Sequence, residues 1–176
     1  PVGGDMGLKG AVCEKFKRDN NLVYTPSQVV VSTGAKQSIA NVCMVLLNPG
    51  DDVILPAPYW VSYSAIVTLA EATPIIVPTG IDQNFKITPQ QLEASITPKT
   101  KLIMFNSPNN PSGTVYTEDE YRALANVLEK YPEIYVLSDE IYEHISYSGE
   151  VFSLASIPSL YDRTITVNGL AKAFAM

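Results

Sequence analysis

Residues 102–139, LIMFNSPNNPSGTVYTEDEYRALANVLEKYPEIYVLSD, contain a complete strand, loop, helix and strand in succession. Leu102 to Phe105 is an apolar run without polar alternation, the pattern of a strand buried on both faces. Asn106 to Gly113 follows as a dense cluster of Asn, Pro, Ser and Gly, which reads as a loop. Thr117, with Glu120 three residues later, is a capping-box start for a helix predicted to reach Lys130. Ile134 to Leu137 is a second buried strand, ending at Ser138-Asp139. Two fully buried strands joined through a helix belong to a parallel sheet, since a parallel pair needs a crossover of this length.

The same succession recurs on both sides. Val53 to Leu55 and Pro74 to Val77 read as strands, separated by a Pro-rich bend at Pro56 and Pro58 and a helix through Tyr59, Tyr63, Ile66 and Leu69. Thr88 to Ser95 is a short helix with Thr88 as cap and Pro89 in its first position. Ala35 to Leu47 carries Ile39, Val42, Cys43 and Leu46 at helical spacing and stops at Asn48-Pro49-Gly50. Val29 to Val31 reads as a further strand, and Asp5 caps a helix through Leu8, Val12 and Phe16 that Asn20-Asn21 ends. Thr164 to Val167 is the last strand, ending at Asn168-Gly169. No linker or repeat divides the chain. The expected fold is α/β, a single domain over 1–176 with three α/β/α layers and a mainly parallel sheet.

The 176 residues are 46% hydrophobic and 17% charged, with a dispersed net charge of −6. Such a chain can build a core. No cluster of Lys and Arg marks a nucleic-acid surface, although a local pocket for a small phosphate stays open. Cys13 and Cys43 fall in apolar helical patterns and read as buried free thiols. His144 is the single histidine and no metal-ligand spacing occurs, so no metal site is expected. Neither a bilayer-length apolar run nor a signal-like start is present, and the expected setting is the cytoplasm, away from membranes. Pro1 opens the chain without methionine, and Met176 ends it inside the apolar stretch from Leu170, which reads as a segment of a longer chain.

In open parallel sheets ligands bind beyond the carboxyl ends of the strands. The unusual polar residues fall there: Ser32 to Lys36, Asn106 to Asn110, Asp139, and Asn168 to Lys172. Thr33-Gly34-Ala35-Lys36 joins a strand to a helix N-terminus, either an ordinary tight turn or a phosphate site made of free amides and the helix dipole. Asp139 is either a helix N-cap for the segment beginning at Glu140 or a buried carboxylate awaiting a cation such as a protonated ring nitrogen. Tyr142, three residues on, can face the same space. The Asn-Pro loop is a surface turn or a means of aiming an amide inward in a fixed geometry. Trp60 is a core residue or an aromatic plate for a planar ligand. Lys172 either snorkels from a helix or is an amine desolvated by Leu170, Ala171, Ala173 and Phe174 into a nucleophile.

In order, Pro1 to Gly4, Thr33 to Gln37, Pro56-Ala57-Pro58-Tyr59-Trp60, Asn109 to Gly113, Asp139 to Tyr142 and Asn168 to Met176 resemble the fold-type I aminotransferases of class I/II, nearest the bacterial aspartate aminotransferase branch. The resemblance covers essentially the whole chain. It implies a pyridoxal 5′-phosphate (PLP) large domain, present in part, without the family's N-terminal segment and C-terminal small domain. It further implies that Lys172 carries PLP as a Schiff base and acts as general base, and that Asp139 keeps the pyridine nitrogen protonated. Tyr142 and Asn110 would hydrogen-bond the phenolic oxygen, Trp60 would stack on the ring, and Gly34, Ala35 and Lys36 would form part of the phosphate cup. Trp60 and Asn110 would also meet the substrate. An L-amino acid, aspartate foremost, and a 2-oxo acid such as 2-oxoglutarate are the implied partners, within a homodimer. Ala171 departs from the serine of many relatives, and the family's phosphate-pairing arginine would lie past Met176. A carbon–sulfur lyase and a ligand-sensing regulatory domain are alternatives on the same fold.

Overall fold

The computed structural model describes residues 2–147, 149 and 151–176. Helix α1 (Met6–Asn20) starts where the Asp5 carboxylate accepts from the Gly7 and Leu8 amides at 2.8 and 3.1 Å, and stops at Asn21, whose φ is 55°. Then follow α2 (Ala35–Leu46), β1 (Asp52–Ala57), α3 (Ser62–Leu69), β2 (Thr73–Pro78), α4 (Pro89–Ser95), β3 (Thr100–Asn106), α5 (Glu118–Leu128), β4 (Tyr135–Asp139) and β5 (Thr164–Val167). The predicted capping box forms, with Thr117 Oγ1 accepting the Glu120 amide, and Thr88 Oγ1 likewise accepts the Gln91 amide.

All five strands are parallel, in the order β2-β1-β3-β4-β5. Side-chain alternation sends Val53, Leu55, Leu102, Met104 and Leu137 to one face, where Ile39 and Cys43 of α2 and Tyr63, Ile66 and Val67 of α3 cover them. Ile54, Ile103, Phe105 and Val136 face the other way, against Leu92 of α4 and Tyr121, Leu124 and Leu128 of α5. Both faces are therefore dry, which is why the strands read as unbroken apolar runs. The fold is the expected three-layer α/β/α arrangement.

The strand order places a reversal of direction between β1 and β3, where ligands settle in folds of this kind. β1 and β3 pair only as far as Ile54 and Ile103, while β1 stays paired with β2 to Ala57. Their carboxyl ends thus splay apart. Asn106 and Asp139 are register partners on β3 and β4, as are Asp139 and Val167 on β4 and β5.

Three local expectations are corrected. Val29 to Val31 is extended but joins no strand of the sheet: Val29 N–H closes a turn on Pro26 O, and Val31 N–H meets Gly3 O. β-branched residues favour extension, yet a strand needs a neighbouring ladder, and here a single loop supplies the partner. Pro56 lies inside β1 rather than in a bend; it sits past the point where β1 has lost β3, so its missing N–H breaks no ladder with that neighbour. Cys43 is buried as expected, but Cys13 is only half-buried on α1.

Candidate active site

Asp139 ends β4 with 3% of its surface exposed. Its Oδ2 accepts from the Tyr63 hydroxyl at 2.5 Å and its Oδ1 from the Ile141 amide at 3.2 Å. Burial pushes this carboxyl above its ordinary range, while those two donors and the charge of Lys172 pull against burial. Asp139 thus organises the turn after β4, which starts no helix, and it is a buried carboxylate at the rim. Tyr63 is 2% exposed, and burial and the neighbouring carboxylate push its hydroxyl well up, so it remains a donor.

Asn106, the last residue of β3, fastens the rest. Its Nδ2 donates to Asp139 O at 2.9 Å, and its Oδ1 accepts the Asn110 amide at 2.7 Å. The Ser107 amide also donates to Asp139 O, at 3.2 Å. The loop is closed internally by Asn109, whose Oδ1 accepts from the Ser112 amide and hydroxyl, and Asn109 Nδ2 reaches Pro58 O at 3.4 Å. The Ala57-Pro58, Ser107-Pro108 and Asn110-Pro111 bonds are cis. Held through its amide by Asn106, Asn110 directs its Nδ2 at the Tyr142 hydroxyl, 3.5 Å away. An open cleft of about 510 Å³ between residues 108–115 and 142–147 shares Asn110 and Tyr142 with the site.

Trp60 is half-buried, with its ring edge-on to Tyr63 at a centroid distance of 5.6 Å. Lys36 Nζ stands 4.9 Å from the Trp60 ring centroid, a cation–π contact. That contact links the N-terminus of α2 to Trp60, Tyr63 and Asp139 in one run of neighbours. Gly34 precedes α2 with φ 87° and ψ 162°, a conformation essentially confined to glycine. Its own amide donates to Ser32 O at 2.9 Å, so Gly34 contributes a backbone shape more than a free donor. Helix geometry leaves the Ala35 and Lys36 amides without intrahelical partners.

Lys172 Nζ lies 5.8 Å from the Tyr142 ring centroid, and its charge acts on Asp139. Of the two readings of Lys172, the desolvated one is not found. Leu170, Ala171, Lys172 and Phe174 are all exposed, so the apolar stretch does not bury the amine within this chain. Among the described residues no group of three or more His, Cys, Asp or Glu side chains could hold a metal ion.

The structure thus brings together Asp139, Tyr142, Asn110 and Lys172, with Trp60 and the α2 N-terminus alongside. Asn106 was read from sequence only as the start of the polar loop, and Tyr63 only as a helix residue. A signal existed for Tyr63: it falls in the helix predicted after the Pro-rich bend, and a buried carboxylate requires a donor. The site suits PLP on observations of its own. A buried carboxylate faces the rim with Lys172 as the positive charge acting on it, and a Cβ built on Gly34 would meet nothing within 4 Å beside the free amides of α2.

A family description for aminotransferases of class I and II matches residues 1–176, and the chain belongs to this family. It is 52% identical to the aspartate/prephenate aminotransferase of Cereibacter sphaeroides, over 99% of this chain and 44% of that protein. It is 48% identical to a Petunia hybrida bifunctional aspartate aminotransferase and glutamate/aspartate-prephenate aminotransferase, over 100% of this chain and 37% of that protein. The crystal structure of the aspartate aminotransferase from Rhizobium meliloti superposes with a TM-score of 0.98 at 45% identity, covering 99% of this chain and 44% of that one. The chain spans less than half the length of these relatives.

Proposed function

We propose that the intact protein is a PLP-dependent aminotransferase that moves the amino group of an L-amino acid, aspartate foremost, to a 2-oxo acid such as 2-oxoglutarate. The observation that carries this is the Asp139 carboxylate, buried at the strand ends, fastened by Tyr63 and under the charge of Lys172. The printed names of the relatives support aspartate, and they add prephenate, itself a 2-oxo acid, as a second acceptor. They also favour transfer over the carbon–sulfur lyase and ligand-sensing alternatives. We place the protein in the cytoplasm as a homodimer; among the described residues no helix is long and apolar enough to cross a membrane.

PLP, when bound, supplies an electron sink for the electrons of a bond at the substrate Cα. Asp139 would hold a proton on the ring nitrogen, which its buried position makes an energetically welcome partner. The Ala35 and Lys36 amides would hold the phosphate at the α2 N-terminus. Asn110 Nδ2 and the Tyr142 hydroxyl would donate to the phenolic oxygen, and the Trp60 face would cover the ring and exclude water. Lys172 Nζ would hold the cofactor and, once released by substrate, take the proton from the substrate Cα.

Borohydride reduction of the full-length protein with PLP, followed by peptide mapping, tests this reading. Phosphopyridoxyl label on Lys172 is expected, and label on any other lysine would sink it. Incubation with aspartate and 2-oxoglutarate should then give glutamate, whereas a lyase would release its product without an acceptor.

A further inference from the structure

Four consecutive residues after Asp139 each meet the segment that carries Lys172. Ile141 Cδ1 lies 3.1 Å from where a Cβ on Gly169 would stand. The Tyr142 ring faces Lys172 Nζ, Glu143 Oε2 accepts from Asn168 Nδ2 at 2.6 Å, and His144 meets the Phe174 ring edge-on at 5.7 Å. Of these four, the Glu143 contact is a hydrogen bond to a full charge, and such bonds are about twice as strong as neutral ones. Asn168 cannot turn away, because its Oδ1 accepts the Gly169 amide at 2.7 Å.

Glu143 is braced from behind. Its Oε1 accepts from Asn20 Nδ2 at 2.6 Å, Oε2 pairs with Lys15, and Lys15 in turn donates to Asn20 Oδ1 at 2.8 Å. Burial opposes its charge, yet the bonds from Lys15, Asn20 and Asn168 hold the carboxyl below its ordinary range. A carboxylate that only fastened α1 would need Lys15 and Asn20 alone. The third bond goes instead to the start of a segment whose Leu170, Lys172, Phe174 and Met176 are all exposed.

The geometry points to Glu143 as a positioning residue: through Asn168 it fixes where the backbone leaves β5, and hence how Lys172 stands relative to Asp139 and Tyr142. This rests on the reading of Lys172 as the cofactor-holding lysine.

The test uses the full-length protein with and without PLP. Asn168→Asp keeps an acceptor for the Gly169 amide, removes the donor to Glu143 and sets two carboxylates together. Amide hydrogen exchange across 169–174 in the cofactor-free protein is expected to quicken about tenfold or more, the scale of one hydrogen bond to a charged group. PLP retention should fall by a similar factor, and the pH midpoint of the visible lysine–cofactor band should move. Asn20→Ala, which cuts only the α1 side of the carboxylate, should leave exchange at 169–174 and that midpoint unchanged. Equal effects of the two variants, or native exchange in Asn168→Asp, overturn the proposal. If borohydride marks another lysine while Asn168→Asp still frees the segment, the lysine assignment falls and the anchoring by Glu143 stands.

Discussion

Glu140 has 2% of its surface exposed, and its Oε1 accepts from the Ser138 and Ser153 hydroxyls at 2.9 and 2.8 Å. Its Oε2 has no partner among the described residues, and burial pushes the carboxyl up to about 7. Between the ordinary carboxyl range and that value, the folded chain keeps a proton that the unfolded chain has released. Stability therefore falls as pH rises through this window, by roughly 3 kcal/mol in all, and levels off above it. Glu140→Gln keeps an acceptor for both serines and removes the titration. Its urea midpoint should exceed that of the native chain at pH 8 and come close to it at pH 5; an equal gap at both pH values would refute the burial argument. Tyr63→Phe removes a donor from the buried Asp139 and is expected to lower stability by about 1–3 kcal/mol. Tryptophan emission should hardly shift, because Trp60 is the only tryptophan and keeps its ring-edge neighbour.

Among the elements, α2 follows a backbone conformation that only glycine adopts readily. Gly34→Ala would place a methyl group where nothing lies within 4 Å, so crowding contributes nothing. The strain is conformational, about 1–3 kcal/mol at this φ and ψ. Urea unfolding should record that loss, and PLP retention should weaken as the Ala35 and Lys36 amides are re-aimed; retention equal to the native chain would remove Gly34 from the phosphate end. Elements with local chemical signatures were legible in sequence: the Thr117 box opened α5, and the unbroken run from Leu102 announced a strand buried on both faces. Asp139 and Asn110 were legible for the same reason, lying at strand ends beside turn residues. Val29 to Val31 misled because extension is a local property and ladder pairing is not. The two readings of Lys172 could not be separated in sequence, since an apolar neighbourhood buries nothing until another surface covers it. Tyr63 and Glu143 act across 76 and 128 residues, to Asp139 and Lys15, and no spacing rule reaches that far.

At the scale of the molecule, the chain matches 44% of the length of the Cereibacter sphaeroides relative, and more than half of that relative has no counterpart in it to help orient a substrate. Without a group to orient the substrate, proximity effects worth several orders of magnitude are lost. The isolated 176-residue chain is therefore expected to show little or no conversion of aspartate in a coupled oxaloacetate assay, and turnover matching the full-length protein would refute this. One feature of the sheet governs the chemistry more abruptly than any side chain. Asp139 and Glu140 are consecutive, yet the first meets Tyr63 of the α3 layer while the second turns to Ser138 and Ser153 on the other side. The parity of the two positions, the last of β4 and the one just after it, thus sorts two acids into different surroundings. Deleting a single residue within β4 would exchange their sides, so the site is tolerant of drift in composition but brittle to a change in parity.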